Sequence, residues 1–82
     1  MTRLTDVDRL FMDAQQAARG RKPPNMVALH TAIGNCGELS REDRARLGGH
    51  VESQLHNLRL ETPPGQPISI YDLMDKHNIH KR

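Results

Sequence analysis

Two proline-rich breaks set the terms on which this chain folds: Gly20-Arg21-Lys22-Pro23-Pro24 and Thr62-Pro63-Pro64-Gly65-Gln66-Pro67. Proline lacks a backbone donor and drives the residue before it out of the helical region, so neither stretch continues a helix. The chain has only 82 residues. The breaks therefore read as turns within one small domain, 1–82, rather than as boundaries between two.

Between the breaks the apolar residues recur at helical spacing. Leu4, Val7, Phe11, Ala14 and Ala18 step by 3, 4, 3 and 4, widened by Leu10 and Ala17, and predict an amphipathic helix over about 6–19. Thr5 is its expected N-cap, Asp6 and Asp8 suit the positive end of the dipole, and Gly20 stops it. A second helix, about 25–36, opens at Asn25, carries Met26, Leu29, Ile33 and Cys36 on one stripe, and ends at Gly37. A third, about 41–60, starts after Ser40, with Asp43 at the capping-box position and Glu42 four residues before Arg46. Its stripe is Leu47, Val51, Leu55 and Leu58, and Gly48-Gly49 is expected to thin or bend it. Helices two and three form an αα-hairpin. A shorter helix over about 69–78, capped by Ser69, carries Ile70, Leu73, Met74 and His77. The fold class is all-α: a small bundle of three main amphipathic helices plus a shorter C-terminal one.

Composition narrows the function classes. Leu, Ile, Val and Phe make 17 of the 82 residues, with no Trp, one Tyr and one Phe. The core is thin, a deep enclosed substrate pocket is not expected, and oligomerisation or partner binding commonly supports chains of this size. No apolar run approaches the roughly 20 residues that span a bilayer, and the first residues have no signal-like apolar region, so no membrane role is expected. The lone Cys36 excludes an intrachain disulfide and four-Cys zinc sites. These features suit the cytoplasm and imply no cofactor. Twelve Lys and Arg against ten Asp and Glu is a mild basic excess.

Four constellations invite a chemical reading. The end of the chain, Tyr71 to Arg82, is similar to the first helix and turn of a helix-turn-helix, although no recognition helix follows in this sequence. His77 and His80, with Asp75, have partial metal-ligand spacing, which needs further ligands to make a site; no metal is expected. Arg44 and His50, with five residues between, resemble the Arg/His motif of the all-helical HEPN ribonucleases. That resemblance covers seven residues and implies His50 as general base and Arg44 as the group that stabilises phosphate charge. Cys36, on an apolar stripe, reads as a small core residue.

Arg41, Arg44 and Arg46 are the most informative cations, because the start of a helix does not favour positive charge. With Lys76, Lys81 and Arg82 they form the candidate surface for a partner or for nucleic acid, though without aromatic platforms for stacking. The stripe Leu4, Val7, Phe11 and Ala14 is the candidate helix interface for a partner or a homo-oligomer. The leading reading is a small non-enzymatic helical protein, of the kind bacteria, plasmids and phages use as accessories, that regulates or inhibits a protein partner. The alternative is a DNA- or RNA-binding transcriptional regulator using the basic start of helix three. The third is a small RNase built on Arg44 and His50.

Overall fold

The computed structural model describes residues 1–82 and contains four helices and no strand: α1 Leu4–Arg19, α2 Met26–Gly34, α3 Arg41–Leu60 and α4 Ile70–Lys76. Helices make up 63% of the chain. α1 packs on each of the other three, α3 packs on α2 and α4, and the whole measures 36 × 23 × 17 Å. The core is one cluster of 18 buried residues to which every helix contributes.

Most of each stripe lies where the spacing placed it, but Met26 is only half-buried and His77 is the C-cap of α4, half-buried outside the helix. Leu47, Val51, Leu55 and Leu58 of α3 are buried, as are Ile70, Leu73 and Met74 of α4. Asn25, Ser40 and Ser69 act as N-caps, accepting from the backbone N–H of Ala28, Asp43 and Asp72 at 3.1, 3.2 and 3.1 Å. Each satisfies one of the donors that the first turn leaves open.

Several local expectations need correction. α1 starts at Leu4, not at Asp6, and Thr5 lies inside its first turn. The N-cap position belongs to Arg3, whose N–H donates to the Asp6 carboxylate at 3.4 Å. α2 ends at Gly34, because the chain beyond it turns to pair with the N-terminus. Thr2 donates its N–H to the Asn35 carbonyl at 3.1 Å, and Thr2 and Cys36 form an isolated parallel β-bridge. Cys36 is fully buried in that arrangement. Arg46 pairs with Asp43 at 3.1 Å rather than with Glu42. α4 is also shorter than expected, seven residues. The Leu4, Val7, Phe11 and Ala14 stripe is no free interface: all four are 4% exposed or less within the chain's own core. A thin core consumes the most regular apolar stripe available.

α3 runs through Gly48-Gly49 without a break. Gly48 is buried under the ring of His30, which would lie 3.5 Å from an added Cβ, while a Cβ on Gly49 meets nothing within 4 Å. His30 also reaches Glu52 at 2.8 Å, tying α2 to α3. The ends of α1 and α4 share one geometry. Lys22 and Arg21 donate back to Ala17 and Ala18 at 2.8 and 3.1 Å, with Arg21 at φ 56°. Ile79 and Asn78 donate to Met74 and Asp75 at 2.9 and 3.3 Å, with Asn78 at φ 57°. Both are Schellman turns, and in the second Ile79 tucks its side chain into the core. Asn tolerates this left-handed conformation; Arg does so at a cost.

Two substitutions test these placements. Arg21→Gly relieves the left-handed residue and Gly49→Ala removes backbone freedom from an open helical position. Each is expected to raise unfolding free energy by about 0.5–1 kcal/mol, read by chemical denaturation.

Candidate functional site

The arginines at the start of α3 face neighbouring helix ends. Arg44 donates to the Cys36 carbonyl at 3.4 Å, just past the end of α2, and Arg46 donates to the His77 carbonyl, the C-cap of α4, at 2.6 Å. Cations are favoured at helix C-termini, where carbonyls lack intrahelical partners. Their position at the start of α3, unexplained by α3 itself, thus has a structural cause in α2 and α4. Arg41 is exposed and makes no such contact. Lys81 pairs with Glu38 at 3.1 Å, whereas Lys76 and Arg82 are exposed and have no ion pair. Of the six candidate cations, Arg44 and Arg46 thus bind carbonyls of other segments, Arg46 and Lys81 hold carboxylates, and Arg41, Lys76 and Arg82 have no ion pair.

Glu38 is a junction that the sequence did not single out. Its carboxylate accepts the Leu4 N–H at 3.0 Å, capping α1 from 34 residues away, and holds Lys81. Its carbonyl accepts the Arg82 N–H at 2.8 Å. The bond from Leu4, then that from Lys81, holds the Glu38 carboxyl below the usual carboxylate range. Beside this junction lies an open hollow of about 720 Å³, lined by Met1, Thr2, Arg3 and Thr5, by Gly37 and Glu38, and by Tyr71 and Lys81. Met1 is fully exposed and Tyr71 is 41% exposed, so two apolar side chains stand at its surface among basic groups.

A second, smaller groove of about 280 Å³ runs between α3 and α4. His50, Ser53, Gln54 and Asn57 line it from α3, and Leu73, Lys76 and His77 from α4. The rings of His50 and His77 stack with centroids 3.5 Å apart and planes within 7°. Burial, then the charges of His50, Lys76 and Arg46, push the His77 imidazole below its ordinary pKa. Arg44 and His50 have different neighbours: Arg44 reaches Cys36 and His50 lies on His77. No group of three or more His, Cys, Asp or Glu side chains is placed to hold a metal ion.

Gln15 was also missed. It is fully buried, donates to the Ile68 carbonyl at 2.8 Å and accepts the Ile68 N–H at 3.0 Å. The available signal was its place four residues after Phe11 and three before Ala18, at the edge of the apolar stripe.

Fold and hollows together define a small all-helical globule with two open concavities, each lined in part by α4, and with no helix long and apolar enough to cross a membrane. Compared with protein families, curated proteins and solved structures, the chain has no significant match.

Two measurements check the helix-end and histidine assignments. Arg44→Ala and Arg46→Ala are each expected to cost about 1 kcal/mol of unfolding free energy, and Arg41→Ala less than about 0.5 kcal/mol. For His77, the folded chain releases the proton more readily than the unfolded chain, so stability rises with pH through its titration. That contribution is complete above about pH 6.5 and is lost as pH falls through the folded value. The melting temperature is expected to fall between about pH 7 and pH 5, and less so in His77→Gln; the Glu38 contribution belongs to a lower pH window.

Proposed function

We propose that this chain is a non-enzymatic protein-binding module that regulates its partner through the hollow beside α1 and α4. The observation that carries this reading is the pairing of exposed Met1 and Tyr71 with Arg3, which has no ion pair, around one concavity whose Lys81 is already paired with Glu38. Tyr and Arg are enriched among the residues that dominate interface energetics, and a Tyr ring offers contact area at little entropic cost. Glu38, the one carboxylate lining the hollow, is already engaged by Leu4 and Lys81. A complementary partner is therefore a protein segment presenting an apolar side chain flanked by Asp or Glu.

A nucleic-acid reading is less favoured because Arg46 is paired with Asp43 and Lys81 with Glu38, so two of its six cations already have a counter-charge. A field for several phosphates needs free cations on one face. The RNase reading is less favoured too, since Arg44 and His50 serve different neighbours.

Selection from a displayed random-peptide library tests the proposal. Acidic–apolar peptides are expected to be enriched on the wild type, and Tyr71→Ala or Arg3→Glu to weaken them by about tenfold or more. Lys76→Gln, outside the hollow, is expected to leave them unchanged. Anisotropy with labelled duplex DNA and RNA is expected to show no binding at about 50 mM salt. Tight binding there that collapses by orders of magnitude at about 200 mM would overturn the proposal in favour of a nucleic-acid regulator.

A further inference from the structure

The groove between α3 and α4 has a chemistry distinct from that of the partner hollow. No carboxylate lines it, while Lys76 and two imidazoles do, together with the Ser53 hydroxyl and the Asn57 amide. Gln54 spends its amide N–H on Gln15 at 3.3 Å, which fixes one wall. The charged groups acting on His77 are His50 and Arg46 of α3 and Lys76 of its own helix, all of one sign. Asp43 is taken up by Arg46, and Asp8 of α1 is bound to the Ile70 N–H at the other end of α4. Asp72 and Asp75 of α4 form no ion pair with Lys76 and do not line the groove, so the positive charge of the lining has no carboxylate paired to it there.

We propose that the α3–α4 groove binds a small tetrahedral oxyanion, an inorganic phosphate or the phosphate monoester of a larger molecule. Lys76 and protonated His77 hold it at the edge of the stacked imidazoles, where ring N–H groups point. Ser53 and Asn57 donate from the opposite wall. Binding takes up a proton from solvent onto the imidazole pair.

Three features select this ligand class. The volume of about 280 Å³ is at the lower end for ligand pockets and admits a small anion together with water. Donors from both walls match oxygens pointing in several directions. Planar carboxylates are best held by the bidentate fork of Arg, and the fork of Arg46 is already filled by Asp43 and the His77 carbonyl. An anion also reverses the disadvantage of protonating His77 among like charges.

Sulfate is the probe that isolates the protein's own protons, because it stays a dianion across the pH range. It is titrated into the full chain at about pH 6 and pH 8, at ionic strength held constant with chloride, while the His50 and His77 ring resonances are followed by NMR. The expected result is saturable shifts of both rings, about tenfold weaker at the higher pH, with the His77 titration displaced upward when sulfate is bound. Lys76→Gln, at an exposed position, is expected to weaken binding several-fold with the His30 resonances unmoved. His77→Gln is expected to remove the pH dependence, and Tyr71→Ala to change nothing. Inorganic phosphate and blocked phosphoserine, titrated in parallel, identify the source: tighter binding of the second marks a monoester. Shifts that are absent, that chloride reproduces, or that survive Lys76→Gln at full strength would overturn the proposal.

Discussion

The two hydrogen bonds between the Gln15 side chain and the backbone of Ile68 decide where the last quarter of the chain lies. The segment from Glu61 to Ser69 contains three prolines and no regular structure, so its peptide groups cannot satisfy one another in a ladder. A buried Gln presents an N–H donor and a carbonyl acceptor side by side in the plane of one amide, as a neighbouring strand would, and has a second N–H and lone pair to spare. Gln54 adds a further donor to the same Gln15 oxygen. Leaving these groups unpaired costs more than forming the bonds gains, so the arrangement admits few substitutes. Once Ile68 is held, Asp8 meets the Ile70 N–H at 2.8 Å and α4 drops its apolar face onto α1 and α3.

The charged residues extend the same principle to the other helix ends. Arg44 and Arg46 serve the carbonyls after α2 and α4, and Glu38 serves the first N–H of α1 while holding Lys81. With so few large side chains in the core, long-range polar contacts at helix ends specify how the helices are arranged. The groups left over define the surface. Arg3 and Tyr71 border one hollow; Lys76 and the stacked imidazoles border the other. α4 contributes Tyr71 to the first hollow and one wall of the second.

Features governed by short range were legible. The bounds of α3 match the spacing of its stripe, and Asn25, Ser40 and Ser69 cap as expected because a cap reaches only three residues. The start of α1 was not legible, since its first N–H is satisfied from Glu38 across the fold. The early end of α2 follows from Thr2 pairing near Cys36, which no local pattern announces. The bonds of Arg44 and Arg46 were not legible from α3 alone, because the carbonyls they reach lie beyond the ends of α2 and α4. The His50–His77 stack joins positions 27 residues apart in sequence, and its groove is visible only in three dimensions.

Amide hydrogen exchange on Gln15→Leu, compared with the wild type, shows whether the Gln15–Ile68 bonds seat α4. Leu removes both polar groups from the Ile68 contact while keeping an apolar side chain at the site. The account predicts that the amides of Ile68, Ile70, Leu73 and Met74 lose protection together while those of α1 to α3 keep most of theirs, marking α4 as a unit released by one side chain. Protection that stays unchanged in α4, or that falls equally in every helix, would contradict it.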